Sequence, residues 1–212
     1  VGSRLVRRLG ADSDLRHAVD HGQLEVHYQP LVEAASRRVH GVEALCRWRH
    51  PERGLLDALA FVPLAEETGL IAAIDALVLR RACDEVAAWN RAHDEALFLN
   101  VNLSALQFHR RDLLASIERA LRESGLGPEH FQLELTETAV VADVEGSARI
   151  LRRLRDAGVM TGLVALVFGA IAVVLWLGGR HVARGILTMD GRMVSWIALD
   201  EILPVIEEAE AA

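Results

Sequence analysis

Cysteine is scarce. Cys46 and Cys83 are the only two in 212 residues, far apart and outside any C-x-x-C spacing. That excludes a disulfide framework, and both read as small buried residues of a reducing compartment. No His/Cys cluster with zinc-ligand spacing is present. No G-x-x-x-x-G-K-[ST] loop occurs, so the chain cannot power transport by nucleotide hydrolysis. The opening "VGSRLVRRLG" has no apolar core of the kind a cleavable signal needs, and the absent initiator Met reads as the mark of a fragment. An excess of positive charge is lacking too: the net charge is −7 and the pI about 5.7. Bulk electrostatics therefore exclude a nucleic-acid polymer as partner. A compact anionic ligand would need a local cationic or metal-bearing site.

What is present is an ordered alternation of elements. "DSDLRHAVDH" (12–21) predicts a short capped helix stopped by Gly22. "LEVHYQPLVEA" (24–34) and "VHGVEALCRW" (39–48), joined by the polar "SRR", predict an antiparallel hairpin. "HPERGLL" reads as a turn-rich loop. Apolar spacing predicts helices over 58–68 and 71–92, separated by Gly69. "ALFLNVNLS" (96–104) and "HFQLELTE" (130–137) predict strands, with helices over 110–123 and 143–156, the latter closed by Gly158. After the hairpin the order helix, strand, helix, strand, helix implies an α/β fold of parallel strands with helical crossovers. In a barrel of this type the C-terminal strand ends form the functional face.

Oxygen-bearing and cationic side chains gather in those strands: Gln29, Glu43, Arg47, Asn102, Glu134 and Glu137. Carboxylate and amide oxygens are hard ligands that suit Mg2+ or Mn2+ rather than zinc. Arg47 has the fork geometry for a phosphate. A metal that polarises a phosphoryl oxygen and activates water would support phosphodiester hydrolysis. Taken singly, a Glu at a strand end is usually solvated or paired with Arg, and "NLS" often only caps a helix. Their recurrence in successive strand–helix units favours a site.

"HYQPLV", "GVEALCRWRHPERGLL", "FVPLAEETGLI", "LNVNLSALQF" and "FQLELTET" stand in the order and spacing of the EAL domain, and residues 12–159 resemble that family. The resemblance implies a TIM-like (β/α) barrel that hydrolyses cyclic-di-GMP with Mg2+ or Mn2+, in a family that is commonly dimeric. It implies that Glu43 is the metal-binding, catalytic Glu of the signature, with Asn102 and Glu134 as further metal ligands. Gln29, Leu45 and Arg47 would contact the dinucleotide, and Glu137 would act in catalysis by steadying a loop beside the site.

The resemblance departs at Val159. The family continues into a strand carrying the paired-Asp motif "DDFGTG", and later strands supply a Lys, another Glu and a Gln. Here no such motif follows, and the remaining tail contains no Lys. About half of the barrel is expected, over residues 1–159, and a two-metal site would lack its bridging carboxylates. The expected outcome is a catalytically incomplete phosphodiesterase domain. The alternative is a membrane-anchored, degenerate EAL module that serves as a receptor for cyclic-di-GMP or a partner.

Residues 160–212 form the second expected segment. No charge appears from Ala157 to Gly179, a length that suits a bilayer-spanning helix, with Trp176 near an interface. The run "LVALVFGAIAVVLWLGGRHVARGILTMDGRMVSWIAL" resembles the last two membrane helices of an ABC exporter permease domain. That resemblance implies an inner-membrane anchor through about 160–179, with the EAL portion in the cytoplasm, a return helix, and a polar C-terminal tail.

Overall fold

The computed structural model describes residues 12–32, 38–93, 96–136, 139–140, 143–166, 186–189 and 192–198. The chain divides into two compact units: residues 1–101 with 116–126, and residues 102–115 with 127–212.

The first unit begins with α1 (residues 12–20). Gly22, at φ 70°, turns the chain out of this helix into β1 (Leu24–Val32). A left-handed backbone at that point costs glycine nothing, whereas a Cβ would strain it. β1 pairs antiparallel with β2 (Val39–His50), in register from Leu24 opposite Trp48 to Leu31 opposite Gly41, with an irregularity before Val32. Alternation along the hairpin buries Leu24, Val26, Val42, Ala44 and Trp48 on one face. The expected loop after His50 contains a short strand, β3 (Gly54–Leu56), which folds back on the end of β2.

Helix α2 (Ala58–Thr68) starts at Asp57, whose side chain accepts from the Ala60 N–H, and ends at Gly69 with φ 75°. Helix α3 (Ile71–Ala92) buries Ile71, Ile74, Val78, Ala82 and Val86, the stripe its 3–4 spacing predicts. The chain then enters β4 (Phe98–Leu103), which runs parallel to β2 with Glu43 level with Asn100. Gly41 permits that pairing, because a Cβ there would lie 2.8 Å from both the Cβ and the carbonyl oxygen of Phe98. The core of this unit includes Leu15, Leu24, Phe61, Ile74 and Leu99, each at most 1% exposed. Full burial of such a side chain stabilises by about 1.5–3 kcal/mol. Trp48 meets Phe61 edge-on at a centroid distance of 6.0 Å.

The second unit opens with the end of β4 and a short helix, α4 (Ala105–Phe108), in the stretch between the expected strand and the expected helix over 110–123. That longer helix, α5 (Leu113–Ser124), crosses from this unit into the first. A turn of 3-10 helix at Pro128–His130 leads into β5 (Phe131–Thr136). Helix α6 (Val144–Asp156) follows, with the Asp143 side chain accepting from the Gly146 N–H at 2.9 Å. Gly158, at φ 79°, turns the chain into β6 (Met160–Leu166), which pairs parallel with β5. The core includes Phe108, Phe131, Leu133, Leu135, Leu151 and Leu154.

The reading of residues 160–179 as a membrane-spanning helix is corrected at its start. Met160–Leu166 is a strand, held by a ladder to β5 on one side and, antiparallel, to β8 (Arg192–Ala198) on the other. β8 pairs in turn with β7 (Ile186–Met189), so the described part of the expected return helix is strand as well. Among the described residues no helix is long and apolar enough to cross a membrane. The physical reason is that a short, continuously apolar run suits a strand as well as a helix, so apolarity alone does not separate them. The remainder of that run, with Trp176, lies outside the described residues. The resemblance to exporter helices finds no support.

Candidate functional site

The hairpin register decides which predicted residues share a face. Gln29 lies directly opposite Glu43, His27 opposite Leu45, and Glu25 opposite Arg47. Side chains alternate along a strand, so Gln29, Glu43, Leu45 and Arg47 all stand on the face opposite the buried Val42–Ala44–Trp48 row. All four are half-buried. Four of the seven predicted site residues are thus brought together by one local hairpin.

The same face extends onto β4. Parallel register sets Asn100, buried at 3% exposure, level with Glu43. Asn100 was not among the predicted residues. The signal was available in the N-V-N alternation, which sets Asn100 and Asn102 on one face of β4. Asn102 itself is exposed and belongs to the second unit.

Charge on the hairpin face is organised. Glu25 is gripped by Arg49, with Nη2 donating to Oε2 at 2.9 Å, and lies 3.2 Å from His27 Nε2. The hydrogen bond from Arg49, then that from His27, holds the Glu25 carboxyl down at about 2. Glu25 sits opposite Arg47 in the ladder but is engaged by Arg49. The Arg47 guanidinium donates from Nη1 to the Cys46 carbonyl at 3.0 Å. Behind the sheet, burial and then the Glu85 carboxylate push the Tyr28 phenol well above its ordinary value. Burial raises Cys46 and Cys83 to about 12. Both are therefore neutral thiols near pH 7.

In the second unit Glu134 lies on β5, level with Gly162 of β6, at 7% exposure. Gln132 shares its face at 5% exposure, and its Nε2 is buried with no hydrogen-bond partner among the described residues. Such an orphaned donor costs about 1–3 kcal/mol. Glu137 lies outside the described residues. The segment just beyond it is fastened at two points: His109 Nε2 donates to the Ala139 carbonyl, and Ser147 Oγ to the Val140 carbonyl, both at 3.0 Å.

Among the described residues no three of His, Cys, Asp and Glu cluster as a metal site. Carboxylate and amide oxygens, such as those of Glu43 and Asn100, are as a donor class suited to hard cations. The strand after Val159 reads M-T-G-L-V-A-L and holds no carboxylate. The whole chain contains no Lys, all 23 cationic residues being Arg.

Parallel strands joined by helices, led by an antiparallel hairpin with a polar face, define a mixed α/β domain of TIM-like kind. The EAL domain profile matches residues 12–166, and the chain belongs to that family. It is 40% identical over 156 residues to the cyclic di-GMP phosphodiesterase NbdA of Pseudomonas aeruginosa, covering 74% of this chain and 20% of that protein. It is 44% identical over 146 residues to the bifunctional diguanylate cyclase/cyclic di-GMP phosphodiesterase MucR of the same organism, covering 69% and 21%. The solved PaMucR phosphodiesterase in complex with c-di-GMP superimposes with a TM-score of 0.70 at 42% identity, over 72% of this chain and 62% of that one. The EAL enzyme Bd1971, in its cAMP- and cyclic-di-GMP-bound form, shares the fold with a TM-score of 0.71 at 20% identity, over 81% and 47%. The chain thus spans about a fifth of the length of these curated relatives.

Proposed function

We propose that this chain is a cyclic-di-GMP-binding EAL domain of phosphodiesterase descent that recognises the dinucleotide without hydrolysing it. The observation that carries the reading is the hairpin register, with Gln29, Glu43, Leu45 and Arg47 on one face. Similarity to phosphodiesterases, one of them solved with c-di-GMP, supports the ligand. In this reading Arg47 forks onto a phosphate, while Gln29 and Leu45 contact the rest of the dinucleotide. By family resemblance Glu43, Asn102 and Glu134 are each oxygen ligands for Mg2+ or Mn2+, and Glu137 steadies the loop after β5. Bound metal would polarise a phosphoryl oxygen. Hydrolysis is absent because β6 contributes no carboxylate and no Lys is available to orient water. The same reading assigns the domain to the cytoplasm.

Calorimetric titration with cyclic-di-GMP, paired with a product assay in Mg2+ and in Mn2+, tests this. Saturable binding without turnover is expected, and Arg47→Ala should weaken it by about tenfold or more, the loss of one charge-assisted contact. Turnover by the unmodified chain refutes the hydrolytic half. An absence of saturable binding refutes the receptor half.

A further inference from the structure

We propose that His17 and His21, one turn apart at the C-terminal end of α1, form a surface site for a divalent transition-metal ion of the Cu2+, Ni2+ and Zn2+ class. The two imidazoles are neighbours, with ring centroids 3.7 Å apart and planes inclined by 19°. Stacked rings hold their lone pairs parallel, so binding one ion turns the exposed His17 ring out of the stack. Residues four apart share a helix face, and two histidines so spaced reach one ion.

The protonation of His21 follows from its partner. Its Nδ1 lies 3.0 Å from the His17 carbonyl oxygen, and a carbonyl only accepts. Nδ1 therefore carries the proton, and Nε2 presents its lone pair outward. A metal-ligating imidazole has this arrangement, its second nitrogen anchored to a backbone acceptor. Both side chains are exposed, so an ion can be bound without opening the core. The carbonyl end of the helix favours a cation, and exposed Asp14 and Asp20 add negative charge to the same stretch.

Helix capping alone would explain one histidine. His93 shows that case at the end of α3, where its Nδ1 donates to the Trp89 carbonyl at 2.9 Å and no imidazole stands four residues back. It does not explain a stacked partner at His17. No third His, Cys, Asp or Glu completes a cluster among the described residues. Water then fills the remaining positions, and the usual affinity order places Cu2+ ahead of Ni2+ and Zn2+.

The test is a Cu2+ and a Ni2+ titration of the whole chain, read by calorimetry and by paramagnetic broadening of amide NMR signals. Broadening should begin at the last turn of α1. His17→Ala and His21→Ala should each weaken binding by at least about tenfold, because each removes one arm of a chelate. His93→Ala should change nothing, and excess Mg2+ should not compete, since it prefers oxygen ligands. His17→Gln and His21→Gln repeat the test with polar side chains, and circular dichroism checks the fold of each variant. Broadening that begins elsewhere overturns the proposal, as does either single variant that keeps the original affinity. Neither readout involves cyclic-di-GMP, so failure here leaves the reading of Glu43 and Arg47 untouched.

Discussion

Gly41→Ala isolates the link between backbone packing and the polar face. The added Cβ would lie 2.8 Å from two atoms of Phe98, one of them a backbone oxygen that no side-chain rotation can move. Ordinary contact begins near 3.4 Å, so β2 and β4 must separate by about 0.6 Å at this point. Ladder hydrogen bonds normally near about 2.9 Å would then stretch to about 3.5 Å, where little of their strength survives. Losing one or two of them, at about 0.5–1.5 kcal/mol each, accounts for most of the cost. Overpacking of this kind typically costs about 1–3 kcal/mol. The unfolded chain, stiffened by alanine, gives back about 0.4–1 kcal/mol. The net expectation is a local destabilisation of about 1–2 kcal/mol. Native-state hydrogen exchange reads it directly and needs no assumption of all-or-none unfolding. Protection of the β2 and β4 amides should fall about 5- to 30-fold, while α6 amides serve as the internal reference. Glu43 and Asn100 lie two residues beyond the clash, so cyclic-di-GMP affinity should fall in parallel. Unchanged or increased protection would show that the close approach is not required.

Glu25 makes the acid limb of stability testable. Its folded value of about 2 lies below the ordinary 4.5, so its contribution is complete above pH 4.5 and is lost as pH falls toward 2. Arg49→Ala should move the Glu25 titration upward in a carbon-detected NMR titration but short of the ordinary value, because the His27 hydrogen bond remains, and an unmoved titration would refute the pairing. Phe61→Ala removes a ring that is 1% exposed and meets Trp48 edge-on, and should cost about 3–5 kcal/mol by urea unfolding. A loss below about 1 kcal/mol would mean that the site collapses around the missing ring.

Most boundaries in the chain were legible because they rest on local chemistry. α2 and α3 run over the residues their apolar spacing predicts. Of the glycines expected to stop helices, Gly22, Gly69, Gly125 and Gly158 have positive φ, whereas Gly127, expected to end α5 with Gly125, has φ −63°. The hairpin face was legible for the same reason, since alternation from Glu43 to Arg47 needs no distant information. What failed was non-local. β3 and α4 are too short to carry a period. Asn100 gains its significance only from parallel pairing with β2, which no single strand announces. The stretch after Gly158 is the clearest case: M-T-G-L-V-A-L is a strand paired along both edges, and an apolar run alone does not separate a strand from a bilayer helix.

A strand does follow Val159 and pairs with β5, and its residues M-T-G-L-V-A-L include no carboxylate. Opposite Glu134 the ladder offers Gly162. On the proposed reading, recognition and hydrolysis then depend on different parts of the chain. Recognition rests on Gln29, Glu43, Leu45 and Arg47, whose shared face is set by the antiparallel register of one hairpin within one unit. Hydrolysis rests on carboxylates from β6 that would bridge two ions. A domain can lose the second while the register that supports the first stays intact, and that separation is what distinguishes a receptor from a damaged enzyme.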